Sequence, residues 1–193
     1  MNNIAVFASG NGSNTENIIT HFSASNNAVV KLVITNKADA YVLERARAKN
    51  VPAIVFTREE LTCDTPTTLL ETLQQHGIDY IILAGYLLKI PAVLTENYKG
   101  KILNIHPALL PKFGGKGMYG MHVHRAVIEA REAESGITIH LVDAVYDNGK
   151  ILFQATCPVL ATDTPEQLAA KVQELEQTHF PTIIEKFITG ELK

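Results

Sequence analysis

The chain has 193 residues, a length that suits one domain with a sizeable core. Apolar residues make up 46% and charged residues 19%, and the formal net charge of −3 argues against broad, nonspecific nucleic-acid binding. Two cysteines without a CxxC spacing argue against a disulfide scaffold or a cysteine zinc site, and no stretch approaches the roughly 18 apolar residues of a membrane span.

The opening MNNIAVFASGNG carries no basic leader, so the expected location is the cytoplasm. Residues 4–8 read as a buried strand, followed by the turn Ser9-Gly10-Asn11-Gly12-Ser13-Asn14 and a helix over 15–22. Strand 29–35, helix 40–49 and strand 53–56 come next. Helix 66–76, closed by Gly77, leads to strands 80–84 and 102–105. Strand and helix alternating at this spacing predict right-handed crossovers and an α/β fold, a mainly parallel sheet with helices on both faces. Beyond Leu110 the pattern changes. Residues 111–121 (PKFGGKGMYGM) hold four glycines in eleven positions and predict a loop, followed by helix 122–132. Strands 136–142 and 151–157 are expected to form a hairpin turned at Asp147-Asn148-Gly149. Asp163-Thr164-Pro165-Glu166 starts a final helix, which Pro181 is expected to divide or kink.

Three constellations could carry chemistry. The turn over 9–14 lies between a strand end and a helix start, where backbone N–H groups and the helix dipole favour an anion. It is a poor dinucleotide fingerprint: Thr15 takes the third glycine position, and Thr35-Asn36-Lys37 stands where a ribose-binding acid belongs. A phosphate on a smaller ligand fits better. Second, in LNIHPALLP the side chains of Asn104 and His106 lie two residues apart on a strand and so face the same side. Pro107 ends that strand, and strand carboxyl ends line the crevice of such sheets. An amide and an imidazole there can both donate to one developing oxyanion. Third, Thr138 and His140 share a strand face, and Asp143 or Asp147 could orient His106 and favour its protonated form; spacing does not choose between the two. His122 and His124 could join His106 and His140 as zinc ligands, but no zinc spacing supports this, and no metal is expected. Gln173 and Glu176 read as a solvated helix stripe.

The segments SGNGSN, NKADA with LERARAKN, ILAGYL, LNIHPALLPKF and H-x-x-D-x-x-x-D-x-G together resemble the phosphoribosylglycinamide formyltransferase family, the folate-dependent glycinamide ribonucleotide transformylases of purine synthesis. The resemblance runs from Ile4 to about Pro181. It implies one Rossmann-like formyltransferase domain over 1–193, with the nucleotide phosphate in its N-terminal half and the folate cleft in its C-terminal half. Gly12, Ser13 and Asn14 match phosphate ligands, and Gln173 and Glu176 match contacts to 5-phosphoribosylglycinamide. Asn104, His106 and Asp147 match the catalytic trio. Leu87, Leu88, Lys89 and Ile90, together with Asn104, His140, Asp143 and Asp147, match the folate-binding set. The implied donor is 10-formyltetrahydrofolate, with no metal, and Asp147 is expected to raise the pKa of His106. Small-molecule substrates, no nucleic acid, no membrane and a monomer or homodimer complete the expectation. The alternative is formyltetrahydrofolate hydrolase, in which water replaces the amine. Two departures stand out: Leu88 replaces a common arginine, and no clear counterpart of a folate-touching arginine appears near Thr62.

Overall fold

The structure is a computed structural model that describes residues 1–63 and 66–192. The elements follow in the order β1 (Asn2–Phe7), α1 (Ser13–Phe22), β2 (Ala28–Thr35), α2 (Val42–Ala48), β3 (Ala53–Val55), α3 (Arg58–Thr62) and α4 (Thr67–Gln75). After these come β4 (Tyr80–Leu83), α5 (Ala92–Asn97), β5 (Ile102–His106), α6 (Met121–Glu129), β6 (Glu134–Leu141), β7 (Ile151–Pro158) and α7 (Pro165–Ile188). One seven-stranded sheet runs in the order β3-β2-β1-β4-β5-β6-β7. The strands up to β5 pair in parallel, and β6 and β7 add on antiparallel.

Alternation along β1 explains the layering. Ile4 and Val6 belong to one hydrophobic cluster, with Ile18 of α1 and Phe180 and Ile184 of α7. Ala5 and Phe7 face the other way, into a cluster with Leu61 of α3, Leu69 and Leu73 of α4 and Leu94 of α5. Strands covered on both faces lose their polar alternation, which is why they read as continuous apolar runs.

Three expectations change. The sequence reading contained neither α3 nor α5. At five and six residues they are too short to show helical periodicity. Only the capping box of α3, Thr57 with Glu60, left a local signature. Second, residues 142–150 are not a tight hairpin but a nine-residue loop, with Asp147 in the left-handed region at φ 50°. Third, Pro181 does not divide α7, which runs unbroken over 24 residues. The missing amide of Pro181 leaves the Gln177 carbonyl without its helical donor. The Asn17 side chain supplies one instead, donating to that carbonyl at 2.7 Å.

Among the described residues no helix is long and apolar enough to cross a membrane. Strand order reverses between β1 and β4, so the turns that follow these two strands part and leave a crevice at their carboxyl ends.

Candidate active site

A cleft of about 1020 Å³ opens at that crevice, and every residue that the resemblance matches to catalysis or ligand binding lines it. Thr138 does not. Its hydroxyl donates to the Ala108 carbonyl at 2.7 Å and accepts from the Leu110 amide at 3.0 Å, bracing the turn that follows His106.

One wall is the turn between β1 and α1. Gly12 precedes α1 at φ 77°, and a Cβ there would lie 2.5 Å from Cγ2 of Val42 and 2.8 Å from its Cα. Only glycine fits so close an approach of backbone to backbone. Arg45 of α2 fixes the turn from outside: Nε donates to the Asn11 carbonyl and Nη2 to Asn11 Oδ1, both at 2.9 Å, while Nη1 pairs with Glu16. The Val42 amide donates to the Gly10 carbonyl at 3.2 Å. The result is a preformed turn at a helix N-terminus, the arrangement that suits an anion. Helix α7 closes this wall. Asn14 Nδ2 donates to Glu176 Oε2 at 2.8 Å, Asn14 Oδ1 accepts from Gln177 Nε2 at 2.6 Å, and Gln173 Nε2 reaches Ser13 Oγ at 3.4 Å. Burial pushes the Glu176 carboxyl up, against the opposing bond from Asn14.

The opposite side holds the polar centre. Antiparallel register sets Asn104 directly across from His140. The His140 ring donates from Nδ1 to the Leu141 carbonyl at 2.8 Å, so its Nε2 is the acceptor for Asn104 Nδ2 at 3.0 Å. Asp147, not Asp143, reaches this group. Its Oδ2 lies 3.7 Å from His106 Nδ1 and its Oδ1 lies 3.6 Å from His140 Nε2. Asp143 is exposed and caps the amide of Val145 within its own loop at 2.7 Å. The glycine-rich segment closes over both partners. His106 Nε2 donates to the Phe113 carbonyl at 2.8 Å, and the Gly115 amide donates to Asp147 Oδ2 at 2.8 Å.

The electrostatics uphold Asp147's expected upward effect on His106 but not a net rise. Asp147 does act upward on the His106 pKa, but burial acts downward and wins, with help from His140. His106 is 3% exposed and its pKa lies below the ordinary imidazole value, so the neutral ring is favoured at pH 7. Burial would likewise raise Asp147. Contacts with His140, the Gly115 amide and His106 outweigh it and hold the carboxyl down. The polar centre thus sets a carboxylate beside a buried, neutral His106 ring.

Other wall residues carried no functional reading. Arg58 of α3, four positions before Thr62, brings a cation into the cleft near Tyr146. Its only local sign was the short capping box that starts its helix. His122 and His124 separate: His122 is exposed and packs on Tyr119 with ring centroids 5.4 Å apart, whereas His124 is buried in the cleft wall. Among the described residues, five buried side-chain polar atoms have no hydrogen-bond partner, and three of them, on Asn36, Tyr86 and His124, belong to cleft residues. Such orphans are rare in protein interiors, and their concentration here marks the cleft as the place a polar ligand would complete. Among the described residues no group of three or more histidine, cysteine or carboxylate side chains could hold a metal ion.

The formyl transferase family pattern matches residues 2–184. The chain belongs to that family. It is 44% identical over 187 residues to a chloroplastic phosphoribosylglycinamide formyltransferase of Arabidopsis thaliana, covering 94% of this chain and 63% of that protein. It therefore spans less than two thirds of the plant relative's length. The Haemophilus influenzae phosphoribosylglycinamide formyltransferase is 37% identical over 196 residues, covering 100% of this chain and 90% of that protein. The crystal structure of glycinamide ribonucleotide transformylase 1 from Symbiobacterium toebii superposes with a TM-score of 0.90 at 35% identity, over 98% of this chain and 89% of that one.

Proposed function

We propose that the chain transfers the formyl group of 10-formyltetrahydrofolate to the amine of 5-phosphoribosylglycinamide, a step of de novo purine synthesis, within a single domain. The observation that carries this reading is the joining, in one cleft, of a preformed anion turn at Gly12 and Ser13 with the Asn104, His106 and Asp147 group. The turn seats the acceptor's phosphate and the α7 residues Gln173 and Glu176 meet the rest of it. The segment Leu87–Ile90 and the loop carrying Asp143 and Asp147 line the donor side, where Arg58 suits an anionic tail. Attack of the amine on the formyl carbon gives a tetrahedral carbon bearing an oxyanion, which polar donors at the end of β5 stabilise. His106 is neutral at rest and can take the proton the amine loses. The imidazolium so formed is held by Asp147 and can return the proton to the departing nitrogen, directly or through water. Proton count is conserved, and positioning of two substrates side by side supplies much of the rate.

The test is formyl transfer from 10-formyltetrahydrofolate with and without 5-phosphoribosylglycinamide. Transfer that depends on the phosphorylated acceptor is expected. Formate release at the same rate with no acceptor would make the enzyme a hydrolase.

A further inference from the structure

His124 lies in the first turn of α6, is 5% exposed, and forms part of the cleft wall. Its Nδ1 is buried with no partner among the described residues. That leaves Nε2 as the ring nitrogen able to open to the cleft. The ion pairs of the polar centre go to His106 and His140 instead.

This geometry decides the tautomer. A proton on Nδ1 would be a buried N–H with no acceptor, a rarer arrangement than an unfilled lone pair. The neutral ring therefore carries its hydrogen on Nε2. A second proton would have to enter the same closed space. Burial first, and the neighbouring His106 second, hold this imidazole below its ordinary value. A helix N-terminus acts in the same sense. His124 is therefore a fixed neutral donor.

The donors at the end of β5 also hold protein partners, which they must share or exchange to serve an oxyanion. Asn104 Nδ2 serves His140 at 3.0 Å and faces Asp147 at 3.5 Å, and His106 Nε2 serves the Phe113 carbonyl at 2.8 Å. His124 has the uncommitted N–H. We infer that His124 is a further catalytic residue, donating Nε2–H to the oxygen that grows negative on the transferred carbonyl carbon. The inference rests on the formyl-transfer reading above. The hydrogen stays on Nε2 throughout, so His124 enters no proton transfer.

The test compares His124→Leu, which removes the donor, with His124→Gln, which restores an N–H near the position of Nε2. Leucine should lower kcat by about 10²–10³, the usual effect of losing one oxyanion donor, with KM for both substrates changed little. Glutamine should recover at least tenfold of that loss. Nitrogen-15 NMR of the wild-type protein should show His124 as the neutral Nε2–H tautomer at neutral pH, with its titration displaced below that of an ordinary imidazole. A leucine variant within about threefold of wild-type kcat, or equal losses in both variants, would overturn the inference. So would an Nδ1–H tautomer or an ordinary imidazole titration. If the wild-type protein moved no formyl group to 5-phosphoribosylglycinamide, the reaction assignment would fail instead, and the NMR arm would still decide the state of the ring.

Discussion

The two sides of the cleft are built by different means. The anion turn at Gly10–Asn14 is held by neighbours that belong to rigid elements: Val42 and Arg45 of α2, and Glu176 and Gln177 of α7. The polar centre on the far side depends on two loops, one bringing Asp147 and the other bringing the Phe113 carbonyl and the Gly115 amide. A site that must recognise a fixed charge can be preformed. A site that must let a proton come and go is held by groups that can shift, and its ionisation is balanced by opposing effects of burial and charge. Damage to the loop side should therefore appear in kcat and in the pH profile. Damage to the turn side should appear in acceptor affinity.

The largest effect is expected at Asp147. Asp147→Asn removes the charge that acts upward on His106, so the ring's pKa should fall further and kcat should drop by about 10²–10⁴, the span of general acid–base contributions. NMR titration of His106 with steady-state kinetics measures both, and an unchanged pKa would move the partner role elsewhere. The sign for the wild type follows from the same balance. A depressed imidazole leaves the fold more stable above the ring's unfolded value than below it, and that difference is lost as pH falls from the unfolded value through the lower folded one. The acid limb of kcat/KM should correspondingly lie below the ordinary imidazole value.

Asn104→Ala should lower kcat by about 10²–10³ while leaving both KM values near wild type. It should also free His140 Nε2, which would show as a changed His140 signal by NMR. Near-normal turnover would remove Asn104 from the chemistry and would weaken the contrast between the two sides.

Gly12→Ala tests the turn. The new Cβ would collide with Val42, including its backbone, at a positive φ. Loss of one bond to a charged group costs about 1.5–3 kcal/mol, so kcat/KM for the phosphorylated acceptor should fall roughly ten- to 150-fold. Turnover of a dephosphorylated acceptor should change less. Equal losses on the two acceptors would mean that the turn does not hold the phosphate.

The smallest effect lies away from the cleft. Glu185 of α7 accepts from Ser25 Oγ at 2.6 Å and Asn27 Nδ2 at 3.0 Å and pairs with His21 Nε2 at 2.7 Å, which together pull its carboxyl down to about 2. A depressed carboxyl stabilises the fold above its unfolded value, and the gain is lost as pH falls toward 2. For a partly exposed cluster this is about 1 kcal/mol, so Glu185→Gln should lower Tm by roughly 2–4 °C at neutral pH. Thermal melts should show that difference shrinking in acid. Activity should be unaffected, since the cluster lies outside the cleft lining.

Periodicity and punctuation along the chain were enough for the parallel α/β core, because burial on both faces writes itself into the strands as apolar runs. The anion turn was legible for a similar reason: its glycines, its hydroxyl and its helix start are adjacent in sequence. Asn104 and His106 were legible as a pair because a strand's two-residue repeat is local. Asp147 could not be distinguished from Asp143 by spacing, since the choice depends on a nine-residue loop folding back across β5 and β6. Continuity of α7 through Pro181 likewise required Asn17, whose bond to the Gln177 carbonyl spans 160 residues. The placement of Arg58 and His124 in the cleft and the neutral state of His106 were also decided by tertiary structure. Burial and long-range hydrogen bonding set these features, and neither is a property of any short stretch of the chain.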